Sequence, residues 1–440
     1  MKVKRLKMTS FRGINDLTLE FDDTEPTVLI GINGVGKSSI LDCLSILLSW
    51  LIGQIQFDPN ARGSFLERQG RDLVNGQERD RAKGRSLREQ DIKNGGNQTY
   101  SEILISLEDS QELRWSLTKV RKQDSEDLSN DLGVLAQVTN DIRNRWQASP
   151  EANLPLAVYY PVNRAVLDIP LEVPKTQLFK QIYAYQQAID GVQIGFGSFF
   201  QWFRGIEDLE NEERRDNLNS RNRQLEAVRQ AIYALLPGFS DLRVRRSPLR
   251  MTVTKQGQEL IVNQLSDGEK CLLAMVGDLA RRLAIANPGL ENPREGSGVI
   301  LIDEIELHLH PKWQREIIPA LTRTFPNCQF IVTTHSPQVI SEVKPEGIYI
   351  LERTDNGIVA MRPESSYGRD SNRILEDLMD TPERPQEIKE SLLELFRLIA
   401  KGDLDSARQL HQKIADEIGA DEPELIGANV SIRRREILGR

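Results

Sequence analysis

Four short stretches of this chain bring together residues suited to handling a phosphate. The first is Gly31-Ile32-Asn33-Gly34-Val35-Gly36-Lys37-Ser38, followed by Ser39. Glycines at 31, 34 and 36 let a loop wrap an anion with its backbone N–H groups. Lys37 has the reach for the β- and γ-phosphates of a nucleotide, and Ser38 supplies a hydroxyl for Mg²⁺. The second is Val299-Ile300-Leu301-Ile302-Asp303-Glu304, a buried-strand run ending in two carboxylates. Asp303 suits the shell of a magnesium ion, and Glu304 suits the orienting and polarising of an attacking water. The third is Leu265-Ser266-Asp267-Gly268-Glu269-Lys270. At a helix N-terminus Ser266 and Gly268 can bind a γ-phosphate. Ser266 and Glu269 also have the spacing of a capping box, and both readings use the same free N–H groups. The fourth is Thr333-Thr334-His335-Ser336-Pro337, where a histidine follows a buried strand. His308 and His310 lie between the second and fourth stretches, but no third metal ligand is evident beside them.

The flanking sequence must position these groups. Thr27 to Ile30 is a short β-branched run before the glycine loop, and a helix is expected from about Lys37 to Gln54. That order of strand, loop and helix is the context a phosphate loop needs. Strands are expected at 298–302, 328–333 and 347–352, with a helix over about 312–324. Residues 2–8, 17–21, 100–107 and 113–120 alternate as half-buried strands do. Residues 56–98 read as a polar surface excursion. Residues 175–236 read as largely helical, with a separate buried strand at 157–160. Beyond 371 the chain turns helical and charged. Ile388, Leu392, Leu395, Phe396 and Ile399 share one helical face, and Leu404, Ala407, Leu410, Ile414 and Ile418 share another. Gly402-Asp403 divides them as a stop and a cap, giving a helical hairpin.

Bulk properties narrow the possible functions. The chain has 440 residues, 39% apolar and 28% charged, which suits a globular protein with a polar surface. A net charge of −8 gives no global attraction to nucleic acid or anionic lipid, so any DNA contact needs a local basic patch. Arg243, Arg245, Arg246 and Arg250 form one candidate; Arg79, Arg81, Lys83, Arg85 and Arg88 form another. Neither has the interleaved aromatics of a single-strand reader. Three unpaired cysteines fit a reducing cytosol. The basic N-terminus lacks the apolar run of a signal peptide, and Ile40 to Ile55 reads as too short and too polar to span a bilayer. The expected location is cytoplasmic, with no membrane partner.

The ordered set Phe11-Arg12-Gly13-Ile14, the 31–38 loop, Tyr159-Tyr160-Pro161 with Arg164, Leu-Ser-Asp-Gly-Glu-Lys, Asp303-Glu304 and Thr-His-Ser-Pro resembles the SMC/RecF/OLD-like branch of ABC ATPases. The likeness covers about 1–55 and 240–352. It implies a Walker A loop, a Walker B pair, an ABC signature at 265–269 and a γ-phosphate-sensing switch at His335. It also implies a D-loop over 304–311 and a head-to-tail dimer bridged by ATP. In that dimer Lys37, Ser38, Asp303, Glu304 and His335 act from one copy, and Ser266 and Gly268 close over the γ-phosphate from the other. The tail, with Ser371-Asn372-Arg373-Ile374-Leu375 and Arg433-Arg434-Arg435, looks most like the PtuA ATPases of Septu antiphage systems, including retron-linked ones. That likeness implies an HNH nuclease partner, PtuB. A RecF-like DNA repair or remodelling ATPase without a dedicated nuclease is the alternative.

The chain also departs from the pattern it resembles. The spacing between Ser38 and Ser266 exceeds a minimal core, so the middle holds an insertion, too irregular for a long coiled coil. Gln98 is a Q-loop candidate by position alone. Asp403 and Asp405 form the Asp-x-Asp of a Toprim nuclease but fall at a helix start, so no nuclease activity is expected in this chain. The expected fold is α/β: an ABC-type nucleotide-binding domain with a mostly parallel sheet and an antiparallel lobe. Residues 1–122 and 241–365 would supply its two parts, 123–240 a largely helical insertion, and 366–440 a helical tail.

Overall fold

The computed structural model describes residues 1–57, 84–107, 111–121, 131–164, 180–355 and 357–438. Most of the expected 56–98 excursion, Arg79, Arg81 and Lys83 therefore lie outside the described residues. The chain divides into two compact units, Met1–Arg369 and Asp370–Arg440.

In the first unit, β1 (Lys2–Phe11) and β2 (Ile14–Glu20) form an antiparallel hairpin. β3 (Thr27–Ile30) is wholly buried and leads into α1 (Lys37–Gln56). β4 (Gln98–Ser106) and β5 (Glu112–Val120) join the first hairpin in a four-stranded antiparallel sheet of order β2-β1-β4-β5. α2 (Gly133–Ala148) precedes β6 (Leu156–Tyr160), and α3 (Phe196–Asp216) and α4 (Arg223–Leu235) follow it. β7 (Phe239–Arg246), β8 (Leu249–Lys255) and β9 (Gln258–Ile261) make a small antiparallel sheet. Then come α5 (Asp267–Ala286), β10 (Gly298–Ile302), α6 (Pro311–Thr324), β11 (Cys328–Thr333), the short α7 (Pro337–Ile340), β12 (Ile348–Thr354) and β13 (Gly357–Met361).

The central sheet has the order β13-β12-β3-β11-β10-β6. β12, β3, β11, β10 and β6 all run parallel, and β13 is an antiparallel edge. β3, β6 and β10 are buried at every position, as expected of a sheet covered on both faces. Parallel direction puts the C-terminal ends of β3, β6, β10 and β11 on one edge, where ligands of such sheets bind. Gln329 joins the parallel and antiparallel sheets: its amide accepts from the Val3 N–H (2.7 Å) and donates to the Val3 carbonyl (2.9 Å).

α1 corrects one expectation. Lys37–Gln56 is 20 residues long with a mean hydropathy of 1.6, which is enough to cross a membrane by length and composition. Its apolar residues are spent inside the protein instead. Ile40, Leu41, Leu44, Leu47, Leu48 and Leu51 are buried, and the Trp115 indole of β5 donates to the Leu47 carbonyl at 3.1 Å.

A buried charge cluster fixes α5 against β6. The Asp278 carboxylate accepts from Arg281 and Arg282 at 2.7 Å each and from the Tyr160 hydroxyl at 3.0 Å. Burial pushes its pKa up, but the two guanidinium groups outweigh that and hold it at about 2. The folded-state value lies below the ordinary 3.8, so the stability it contributes is present above that value and is lost as pH falls through about 2. Asp278→Asn is expected to cost about 3–5 kcal/mol near neutral pH, because two arginines stay buried without their anion. Urea unfolding should show the wild-type advantage shrinking between pH 4 and 2; an advantage independent of pH would sink this account.

The second unit contains α8 (Ser371–Met379), α9 (Gln386–Lys401), α10 (Leu404–Ile418) and α11 (Pro423–Leu438). Gly402 closes α9 at φ +84°, and the Asp403 carboxylate caps α10 by accepting from the Ser406 N–H. Ile388, Leu392, Leu395, Ile399, Ala407 and Ile414 form the core, and Leu425, Ala428 and Ile432 of α11 complete it. Phe396, assigned to the inward face of α9 from sequence, is 39% exposed.

Candidate functional site

The 31–38 loop leaves the C-terminal end of β3 and runs straight into α1. Gly31 adopts φ +141°, and a Cβ there would lie 2.4 Å from the Leu351 carbonyl oxygen. Gly36 adopts φ +114° as the N-cap of α1. Both positions need glycine. Among the described residues α1 has no side-chain cap and no acid in its first turn, so its leading N–H groups remain open to an anion. Asn33, Gly34 and Ser38 are exposed along this loop, and Ser39 is half-buried.

Lys37 is buried, and its ammonium donates to the Gly31 carbonyl (2.7 Å) and the Ile32 carbonyl (3.0 Å). Burial lowers its pKa; the negative charges of Asp303, Glu304 and Glu306 oppose that without cancelling it. The loop and the acids after β10 therefore share one electrostatic site.

Thr333, at the end of β11, organises those acids. Its hydroxyl donates to Asp303 Oδ1 (2.5 Å) and accepts from the Glu304 N–H (2.7 Å), while its carbonyl accepts from the Ile305 N–H (3.0 Å). The Asp303 N–H donates to the Tyr160 carbonyl at 2.9 Å. Glu304 turns at φ +47°, a left-handed conformation uncommon outside glycine. Among the described residues its carboxylate has no hydrogen-bond partner. Glu306 accepts from the Thr334 hydroxyl (2.7 Å) and the His335 N–H (2.6 Å), placing half-buried His335 beside the acids. Arg164, 1% exposed, donates to the carbonyls of Pro161, Asp303 and Glu304.

Ser266 and Gly268 lie on a different element, at the N-terminus of α5. The capping box forms: the Ser266 hydroxyl accepts from the Glu269 N–H, and Glu269 accepts from the Ser266 N–H at 3.0 Å. Burial raises the Glu269 pKa, but hydrogen bonds from Lys255 and Ser266 outweigh it and hold the carboxyl below its usual value. Gly268 packs so closely on His308 that a Cβ would lie 2.3 Å from the His308 carbonyl oxygen. Among the described residues no hydrogen bond or ion pair joins Ser266 or Gly268 to the 31–38 loop.

The donor set fits a magnesium nucleotide. Open N–H groups and Lys37 suit phosphate oxygens, and the Ser38 hydroxyl with the Asp303 carboxylate offers the hard oxygens Mg²⁺ prefers. His310 has a structural task, because its Nδ1 accepts from the Lys312 N–H at 3.2 Å and caps α6. No group of three His, Cys, Asp or Glu side chains able to hold a metal occurs among the described residues. Gln98 is exposed at the start of β4, and Asp405 pairs with Arg408.

The 243–250 basic stretch is largely spoken for. Arg243 and Arg245 pair with Glu259, Arg243 also pairs with Asp241, and Arg246 pairs with Glu207 and Asp208. In the other stretch Arg85 donates to the Ser45 hydroxyl and the Ile189 carbonyl.

Three groups escaped the sequence reading in their roles: Thr333, Glu306 and Arg164. Each lay in a quoted motif. The alternation Glu304-x-Glu306 after a strand was the available signal for Glu306. Arg164 acts through backbone carbonyls, and Thr333 through contacts between β10 and β11 that are remote in the chain, and sequence displays neither.

Residues 27–341 match the family described as "AAA domain, putative AbiEii toxin, Type IV TA system". The chain is 28% identical to the retron Ec83 probable ATPase of Escherichia coli, over 99% of this chain and 87% of that one. It is 30% identical to the retron Vc95 probable ATPase of Vibrio cholerae serotype O1 biovar El Tor, over 92% of this chain and 85% of that one. The Septu protein PtuA of Bacillus thuringiensis is 29% identical over 32% of this chain and 37% of its own length. Among solved structures, an Smc head bound to the C-winged helix domain of ScpA is 14% identical, covers 82% of this chain and 98% of its own, and has a TM-score of 0.47. With the family matched over well over half its length, and with retron ATPases aligned to it nearly end to end, the chain belongs to this AAA-domain family and is an ATPase.

Proposed function

We propose that the chain is the ATP-hydrolysing subunit of a cytoplasmic antiphage defence complex, and that it holds and regulates an HNH nuclease partner of the PtuB kind. Its likeness to retron ATPases and to a Septu PtuA supports the defence setting. The observation that supports the ATP-dependent part is that, among the described residues, Ser266 and Gly268 make no hydrogen bond or ion pair with the chain's own phosphate loop. They are free to close on the loop of a second copy, giving a head-to-tail dimer.

In this reading Lys37 exchanges the Gly31 and Ile32 carbonyls for the β- and γ-phosphates. Backbone N–H groups of the 31–39 segment, with Asn33, Gly34 and Gly36, line the phosphate cradle. Ser38 and Asp303 hold Mg²⁺, which when bound offsets charge on the phosphates. Glu304 orients a water and takes its proton, and His335 contacts the γ-phosphate. The Ser266 hydroxyl also donates to the Glu269 carboxylate at 2.9 Å, so in the second copy it must release that bond to donate to the phosphate, and dimer closure competes with it.

Co-expression with an HNH nuclease encoded beside the gene tests the assignment. The expected result is a stable complex whose DNA cleavage changes when ATP is added. A chain that purifies without the nuclease and binds DNA by itself in an ATP-dependent way would instead support the RecF-like alternative.

A further inference from the structure

We infer that Arg164 is a positioning residue for ATP hydrolysis: its buried guanidinium holds the Asp303-Glu304 backbone so that the Glu304 carboxylate stays aimed at the attacking water. This deepens the proposed role of Glu304 and rests on it.

The geometry is a two-pronged clamp. One terminal nitrogen of Arg164 donates to the Asp303 carbonyl, and the other donates to the Glu304 carbonyl at 2.6 Å. A planar fork can engage two successive carbonyls in this way, whereas a lysine ammonium is a single point. The carbonyls present themselves together because Glu304 sits at φ +47°. Such a backbone state costs about 1–3 kcal/mol and persists only where its surroundings over-determine it. Here the surroundings are explicit. Thr333 holds the Glu304 N–H from the β11 side, and Arg164 holds the carbonyl from the β6 side. Only the side chain of Glu304 is left without a hydrogen-bond partner among the described residues, as a group reserved for substrate water requires.

The clamp also reaches the second half of the site. Cys271 of α5, one turn beyond Gly268, lies near enough to Arg164 for the guanidinium to oppose the upward push that burial gives its thiol pKa. The same guanidinium therefore holds the turn that carries Glu304 and lies beside the helix that presents Ser266 and Gly268. A shift of that helix on closure of a dimer has a direct route to the Glu304 backbone.

A buried arginine this central would usually be assigned to folding, so the test must separate the two roles. Turnover, KM for ATP and thermal unfolding are measured for the full chain as Arg164→Lys and Arg164→Gln, each alone and combined with Glu304→Gln. The expected result is a fall in kcat of roughly 10- to 100-fold, the size of effect produced by misplacing a catalytic group by about 1 Å, with KM within about threefold of wild type. In the Glu304→Gln background the same substitutions should change kcat less than about twofold, because the group they aim has lost its function.

Three results would overturn the inference: an unchanged kcat in a folded variant, an equal loss of kcat in both backgrounds, or a rise in KM that accounts for the whole defect. If one variant fails to fold, the other carries the comparison. If both fail, protection of the Glu304–Leu307 amides in wild-type hydrogen exchange decides it: exchange as fast as in open loops removes the clamp. The two layers fail distinguishably. Unchanged turnover in Glu304→Gln itself removes Glu304 from catalysis, whereas slow Glu304→Gln beside fast Arg164→Lys removes only the positioning role.

Discussion

Lys37→Ala is expected to raise the dissociation constant for ATP by about 100-fold or more, a loss of about 2.7 kcal/mol or more. The reason lies in what surrounds the ammonium group. It is buried, and it satisfies the Gly31 and Ile32 carbonyls at the mouth of the loop. It is also the positive charge facing Asp303, Glu304 and Glu306. Alanine removes a charge-assisted contact to phosphate, worth about 1.5–3 kcal/mol by itself. It also leaves the three carboxylates to repel an incoming polyanion without the ammonium that faced them. The fold should tolerate the change, because the glycines and the β3–α1 junction still shape the loop after its two hydrogen bonds from Lys37 are lost. Equilibrium titration with a fluorescent ATP analogue measures the effect, and thermal unfolding checks that the variant is intact. An affinity within threefold of wild type would remove Lys37 from phosphate binding.

The nucleotide half of the protein was legible from sequence because its signals are local. A β-branched run, a glycine loop and an apolar helix in that order specify β3, the 31–38 segment and α1 without reference to the rest of the chain. The same holds for β10 with Asp303 and for β11 with Thr333. Less local facts were hidden. Residues 157–160 read as a buried strand, but nothing in them says that β6 pairs with β10, and that pairing is what lets the Tyr160 carbonyl meet the Asp303 N–H. The arginines at 243–246 read as a basic patch, because the carboxylates that pair with them come from α3 and β9 as well as from β7.

The tail shows the limit of periodicity. Leu425, Ala428 and Ile432 of α11 are buried, but Ile426, Val430 and Ile437 on the same helix are exposed. Apolar residues on two faces cancel the 3.6-residue signal that made α9 and α10 readable, so a four-helix unit read as a hairpin. Phe396 fails for a related reason. Its spacing from Leu392 and Ile399 fits the buried stripe, but it is 39% exposed and takes no part in the cluster those residues form.

Glu304→Gln should slow turnover about 100- to 1000-fold while leaving ATP binding intact, so that an ATP-bound dimer accumulates. Glutamine keeps the size and shape of the side chain. The contacts that hold the turn run through the Glu304 N–H to Thr333 and through its carbonyl to Arg164, and substitution leaves both untouched. What disappears is the one acid of the set that is free to take a proton: Asp303 is tied to Thr333, and Glu306 is tied to Thr334 and His335. A positioned general base contributes about 10²- to 10⁴-fold, which sets the scale. Binding should hold or tighten slightly, because one of three negative charges near Lys37 is gone. Steady-state hydrolysis gives kcat and KM, and light scattering with ATP and Mg²⁺ gives the oligomer. The dimer should persist in Glu304→Gln and decay in wild type as ATP is consumed. A second substitution at Ser266, to arginine, should abolish the trapped dimer without affecting nucleotide binding to the single chain, since Ser266 has no hydrogen bond to its own loop. Trapping that survives the Ser266 change would mean that the two copies meet through some other surface.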